Sequence, residues 1–66
     1  MKVTVEYLKK FGVKHSVVKE TYFFVSKIIA DSLYLDLCFD HGESVRVRQA
    51  QLISLETAED PEVLIL

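Results

Sequence analysis

The two most reactive side chains of the chain, those of Cys38 and His41, lie close together in the sequence. A cysteine thiolate acts as a nucleophile when a nearby imidazole takes its proton and a third group orients that imidazole. Cys38, however, falls inside an alternating apolar run, His41 falls where a turn is expected, and no third group is evident. We therefore expect Cys38 to be a packing residue and the protein not to be an enzyme.

Metal binding and carboxylate catalysis find little support in the sequence. A zinc site needs three or four ligands at recognisable spacings, and Cys38, His15 and His41 match none. Asp36 and Asp40 would share a strand face, but a pair of catalytic carboxylates also needs a cleft. The sequence thus predicts no metal and no cofactor.

The alternating run at residues 33–39 organises the predicted fold. Strict alternation of apolar and other residues is typical of a half-buried strand, and residues 44–48 alternate in the same way. A three-residue turn at 40–42, closed by a glycine in the left-handed conformation, would join the two strands. The predicted cross-strand pairs are Leu35 with Val47, Leu37 with Val45, Asp36 with Arg46, and Tyr34 with Arg48.

A second hairpin is predicted immediately upstream. Residues 21–30 are rich in aromatic and β-branched side chains, which favour strands, and Asp31 and Ser32 would form a two-residue loop. The predicted pairs are Ile28 with Leu35 and Phe24 with Phe39 on the core side, and Ile29 with Tyr34, Lys27 with Asp36 and Val25 with Cys38 on the outer side.

Residues 4–12 fit two structures. As a helix, the segment has an N-cap at Thr4, lysines in its last turn and a terminating glycine at Gly12. As a strand, one face would hold Val3, Val5 and Tyr7. We favour the helix because its start and stop signals coincide with the helical period.

Together these elements predict one domain, residues 1–66, with a β-rich α+β fold. We expect a small curled antiparallel sheet or barrel with one short N-terminal helix. The order of the elements resembles the layout of SH3-like and Sm-like small barrels, although likeness of layout does not carry function. The single cysteine, and the lack of a leader or of an apolar run of about 20 residues, predict a cytoplasmic protein that does not enter a membrane.

The predicted function is that of a protein-binding module or small regulator. Half of the residues are apolar, more than the core of so small a chain needs. Interface cores are enriched in aromatic residues and arginine, and the outer face of the predicted sheet carries both, unless the N-terminal helix covers it. The predicted protein-binding residues are Phe23, Val25, Ile29, Tyr34, Cys38 and Arg48.

The last four residues form an apolar tail, Val63, Leu64, Ile65 and Leu66. The tail follows a polar loop and Pro61, and a proline suits the start of an edge strand. Exposed apolar edges invite aggregation, so we expect the tail to dock on its own sheet or on a neighbour's. A homodimer with these residues at the oligomer interface is the default assembly.

An uneven charge distribution suggests a second kind of partner. The net charge is −2, unlike that of most nucleic-acid binders. Residues 1–28 nevertheless carry six lysines against two glutamates, a net +4, whereas residues 29–66 carry a net −6. The alternative function is therefore binding of RNA or single-stranded DNA by a basic face and a stacking aromatic, with Lys9, Lys10, Lys14, Lys19 and Tyr22 as its residues.

Overall fold

The computed structural model describes residues 1–66 and contains seven strands and one short 3-10 helix. In chain order these are β1 (Val3–Phe11), β2 (Lys14–Tyr22), β3 (Val25–Ala30), β4 (Tyr34–Phe39), β5 (Ser44–Arg48), the 3-10 helix (Gln49–Gln51), β6 (Leu52–Thr57) and β7 (Val63–Ile65). A three-stranded sheet in the order β2-β1-β6, here sheet A, accompanies a four-stranded sheet in the order β5-β4-β3-β7, here sheet B. No helix is able to span a membrane.

The predicted N-terminal helix is wrong, because the segment assigned to it is strand β1. This strand pairs antiparallel with β2 along its whole length and with β6 over its first half. Gly12 has a φ of +61° and opens the two-residue turn Gly12–Val13, where a type II′ hairpin needs a positive φ. The glycine after the apolar segment therefore marks a hairpin rather than the end of a helix.

The predicted barrel is also wrong, because the two sheets stay open and pack on each other. β1 buries Val3 and Val5, and sheet B buries Val25, Ile28, Leu35, Leu37 and Val47. Each such side chain contributes roughly 1.5–3 kcal/mol when it leaves water. The N-terminal residue also links the sheets, since Met1 N donates to Val25 O at 2.7 Å and Val25 N donates to Met1 O at 3.0 Å.

The β4–β5 hairpin has the predicted register at every pair. Leu37 lies opposite Val45 and Asp36 lies opposite Arg46. Phe39 N donates to Glu43 O at 2.8 Å, which leaves a three-residue turn. Gly42 has a φ of +95° in this turn, a conformation that glycine adopts without steric cost.

The β3–β4 hairpin is shifted by two residues from its predicted register. Ile28 pairs with Leu37 rather than Leu35, because the loop is Ser32–Leu33 and Asp31 N donates to Tyr34 O at 3.0 Å. Asp31 Oδ1 accepts hydrogen bonds from Leu33 N and Tyr34 N at 2.8 and 2.7 Å. These bonds lower the pKa of Asp31 and hold the turn one residue later than predicted.

An irregularity in β3 moves one predicted binding residue into the core. The register shifts between Val25 and Lys27, so Ser26 has no partner on β4. An extra residue of this kind reverses the alternation of side chains on one side of it. Val25 pairs with Phe39 and is only 1% exposed, so it is not part of the outer face, whereas Phe24 lies outside the core.

Candidate binding surfaces

The apolar tail forms one edge of sheet B. β7 runs parallel to β3, with Val63 beside Ile28 and Ile65 beside Ala30. Glu62 O accepts from Ile28 N at 2.9 Å, and Leu66 N donates to Ala30 O at 2.8 Å. The tail therefore docks on its own sheet, one of the two positions that the sequence left open.

The other side of β7 is open. In a parallel ladder the residues of one strand point their backbone groups alternately towards one neighbour and then the other. Since Glu62 and Leu66 bond to β3, the N–H and C=O groups of Val63 and Ile65 point away from the sheet. No further strand of the chain lies there, because β7 is the last strand of the order.

The side chains of β7 and of Leu66, which follows it, are uncharged and exposed. Val63 and Leu64 are 47% and 49% exposed, and Ile65 and Leu66 are 78% and 75% exposed. Edge strands that do not pair with another chain usually carry a charge, a proline or a bulge that prevents such pairing. β7 has none of these within Val63–Ile65, although Pro61 and acidic residues precede it.

The outer face of sheet B carries one row of residues across its four strands, namely Arg46, Asp36, Ile29 and Leu64. Arg46 donates two hydrogen bonds to Asp36, and its guanidinium lies 4.5 Å from the centre of the Tyr34 ring. These contacts with the carboxylate raise the pKa of Arg46. The charged residues at one end of the row, Arg46 and Asp36, are therefore paired with each other. The apolar residue at the other end, Leu64, lies on the edge strand β7.

The predicted binding residues divide between two places. Ile29, Tyr34 and Cys38 are half-buried and share the outer face of sheet B with the exposed Arg48. Phe23 is exposed elsewhere, in the link between β2 and β3, where the Lys2 ammonium lies 5.9 Å from its ring centre.

The same link contains a strained residue. Phe24 has a φ of +62° and is 71% exposed. A bulky residue rarely adopts this left-handed conformation. Here Phe24 O accepts a hydrogen bond from Asp40 N at 2.9 Å, which ties the link to the β4–β5 turn.

A cluster that the sequence did not reveal lies between the sheets. Tyr7 donates a hydrogen bond to Glu20 at 2.9 Å, and Tyr22 donates one to the other oxygen of the same carboxylate. Both bonds lower the pKa of Glu20. The bond to Glu20 raises the pKa of Tyr7, while burial and then the bond to Glu20 raise that of Tyr22.

This cluster borders a pocket of about 210 Å³ whose other wall is β5 and the 3-10 helix. A general acid or base works best with a pKa near the operating pH. Here the carboxyl pKa is moved down and both phenol pKa values are moved up, away from neutrality. The arrangement suits a fixed hydrogen-bond network that joins β1 and β2 rather than a proton-transfer site.

The structure does not bring Cys38 and His41 together as a reactive pair. The Cys38 side chain belongs to the outer face of sheet B. The His41 ring stacks on Phe39, at 5.4 Å between ring centres, and Phe39 faces the other way and contacts Tyr22. No group of three or more His, Cys, Asp or Glu side chains is arranged to hold a metal ion.

The lysines of the alternative site lie mainly at the far end of the β1–β2 hairpin. Lys10 pairs with His15 and Phe11 pairs with Lys14 next to the turn, with Lys9 close by. Tyr22 lies at the opposite end of β2, beside Val3, and its hydroxyl is bonded to Glu20. The structure therefore separates the predicted stacking residue from the predicted lysines.

Comparison with known proteins identifies no relative of this chain. No protein family, curated protein or solved structure matches the chain. The fold and the surfaces above are therefore the basis for assigning a function.

Proposed function

We propose that the protein works by binding other protein chains, and that its first partner is a second copy joined to it along β7. The observation that supports this proposal is the open, uncharged edge of β7, where Val63 and Ile65 direct unpaired backbone groups outward. An extended segment pairs readily with such an edge, because the backbone hydrogen bonds supply affinity and the side chains supply specificity.

The geometry of β7 favours an antiparallel, two-fold symmetric pair. With Leu64 on the symmetry axis, Val63 of one copy would lie opposite Ile65 of the other. Opposite residues of this kind exchange both of their backbone hydrogen bonds. The outward groups of both residues in both copies would thus be satisfied, and the two four-stranded sheets would become continuous.

The side chains are compatible with that pairing. Leu64 of one copy would lie opposite Leu64 of the other, in a pair without backbone hydrogen bonds, where side chains approach most closely. Because Val63–Ile65 carries no charge, the pairing opposes no like charges within the strand. The exposed apolar surface of β7 would be covered by a surface of the same kind, as in a two-fold interface.

The surplus of apolar side chains supports a binding role more broadly. Only seven residues are buried, whereas eleven large apolar side chains are about half exposed or more. Four of these eleven belong to the tail: Val63, Leu64, Ile65 and Leu66. Because the paired segment is short, we expect a dimer that dissociates on dilution.

Sedimentation velocity over a range of protein concentrations tests the proposal. We expect the wild-type chain to shift from monomer to dimer as its concentration rises, and the Ile65→Pro variant to remain monomeric. Proline removes the outward N–H of residue 65 and leaves both tail bonds to β3 in place, since those bonds involve Glu62 and Leu66.

The matched control is Leu33→Ser, which removes another exposed apolar side chain, from the loop between β3 and β4 rather than from β7. This variant should dimerise as the wild type does. A wild-type chain that is monomeric at all concentrations would refute the proposal, and so would an Ile65→Pro variant that dimerises normally. Deleting residues 62–66 should also abolish the dimer.

A further inference from the structure

The far end of the β1–β2 hairpin projects beyond the rest of sheet A. β6 pairs with β1 only from Val3 to Tyr7, so residues 8–17 form a two-stranded arm, which we call the hairpin arm. The paired part of each strand extends about 14 Å past the last β6 contact, at roughly 3.4 Å per residue. The arm is therefore a narrow ribbon rather than part of a broad sheet.

The charged side chains in the hairpin arm and at its base are all basic. Between Glu6 and Glu20 the chain carries four lysines, three of them in the arm and Lys19 just beyond it, and no acidic residue. Each strand supplies two of them: Lys9 and Lys10 on β1, Lys14 and Lys19 on β2. The lysines also divide between the two faces, since Lys9 and Lys14 share the face of Phe11 while Lys10 and Lys19 lie on the other.

The tip of the hairpin arm is apolar and exposed. Val13, in the turn, is 96% exposed and Phe11 is 56% exposed. The ammonium of Lys9 lies 5.3 Å from the centre of the Phe11 ring. Neither side chain contributes to the core.

We propose that the hairpin arm inserts into the major groove of duplex DNA and that its three lysines, together with Lys19 at its base, contact the phosphates on both sides of that groove. A two-stranded ribbon has the right width, because the groove is about 12 Å wide and 8.5 Å deep and is known to admit one. Lysines on both strands and both faces of the ribbon match a ligand that places phosphates on two sides.

Single-stranded nucleic acid fits the arm less well. Proteins that bind single strands combine a basic groove with several aromatic side chains on which successive bases stack. The arm is a narrow ribbon with two such rings, Phe11 and His15, and these lie on opposite faces, so they offer no series of stacking positions. An RNA duplex fits less well too, because its major groove is deep and narrow.

Fluorescence anisotropy with a labelled DNA duplex of about 20 base pairs tests the proposal. If three or four phosphates are contacted, affinity should fall about 40- to 150-fold between 50 and 200 mM salt. The Lys10→Ala, Lys14→Ala double variant should bind more weakly at low salt and show a shallower salt dependence. The Lys2→Ala, Lys27→Ala double variant removes two lysines outside the arm and should bind as the wild type does.

The other possible ligands are outcomes of the same experiment. A labelled single strand of equal length that binds as tightly as the duplex would refute insertion into a groove. Binding to anionic lipid vesicles but not to DNA would assign the arm to a membrane surface instead. Loss of DNA binding in the Lys2, Lys27 control equal to that in the arm variant would also refute the proposal. Ile65→Pro, which tests the dimer, leaves the arm intact, so either proposal can fail without the other.

Discussion

Arg46 lies directly opposite Asp36 on the outer face of sheet B and holds its carboxylate in a two-pronged hydrogen bond. The distances are 2.9 Å from Nε to Oδ1 and 3.1 Å from Nη2 to Oδ2. The fork of an arginine matches the geometry of a carboxylate. This pair joins β4 to β5 in the observed register, and it forms the charged end of the row whose other end is Leu64 on the edge strand β7.

Exchange of the two charges tests this pair. Asp36→Arg should lower the melting temperature by a few degrees, since it sets two arginines opposite each other. Adding Arg46→Asp should restore most of the loss, because the exchanged pair can form again. Thermal unfolding of the two single variants and the double variant measures the coupling, and its absence would mean that the contact contributes nothing to the hairpin.

The β4–β5 hairpin could be predicted because two independent signals agree. Alternation fixes which residues share a face, and Gly42 fixes the length of the turn. The β3–β4 hairpin lacks a glycine, and its turn depends instead on the Asp31 side chain. The resulting error is two residues, which leaves the side chains from Lys27 to Phe39 on their predicted faces, since side chains alternate with a period of two. Only Val25 and Phe24, before the irregularity in β3, change faces.

The N-terminal hairpin shows where local signals are ambiguous. Thr4, Lys10 and Gly12 satisfy the rules for helix ends, yet Gly12 also suits a two-residue turn. Pairing with both β2 and β6 decides in favour of the strand. That pairing connects residues as distant in sequence as Val3 and Thr57, and no local pattern reports it.

The candidate surfaces were predictable to different degrees. The tail was recognisable from its four consecutive apolar residues. The basic residues were recognisable as a group, but their place on a projecting arm depends on where β6 stops. The contact of Glu20 with Tyr7 joins β2 to β1 in a register that the helical interpretation excluded, so the cluster of Glu20, Tyr7 and Tyr22 was not predicted.

Acid should destabilise the protein through Glu20. Hydrogen bonds from Tyr22 and Tyr7 lower the pKa of this carboxyl in the folded state. Its contribution to stability is therefore complete above the unfolded-state pKa, near 4.5, and is lost as the pH falls through the lower folded-state pKa. Urea unfolding between pH 7 and pH 2 should show this loss, and Glu20→Gln should flatten the pH dependence in that range.

The two tyrosines provide the control for Glu20. Tyr7→Phe and Tyr22→Phe each remove one hydrogen bond to the carboxylate, and each should lower the free energy of unfolding by about 1 kcal/mol at neutral pH. Equal stability of Glu20→Gln and wild type at pH 7, together with an unchanged pH profile, would show that the network adds nothing to folding.

Phe24 should be replaceable with a gain in stability. Its left-handed backbone conformation is costly for a bulky residue, whereas asparagine tolerates it. Phe24→Asn should therefore raise the free energy of unfolding by about 0.5–1 kcal/mol. Phe23→Asn is the matched control, because it removes a neighbouring exposed phenylalanine without a positive φ and should bring no such gain. Chemical denaturation of both variants distinguishes relief of strain from loss of an exposed aromatic ring.

The central claim, that two copies pair along β7 about an axis through Leu64, is tested most directly by mixing two charged variants. Leu64→Glu and Leu64→Lys should each be monomeric alone, because each sets like charges opposite one another. Mixed in equal amounts at low salt, they should form a dimer that contains one chain of each, which native mass spectrometry resolves by mass. Two variants that each dimerise as well as the wild type, or a mixture that associates no more than its components do, would contradict the account.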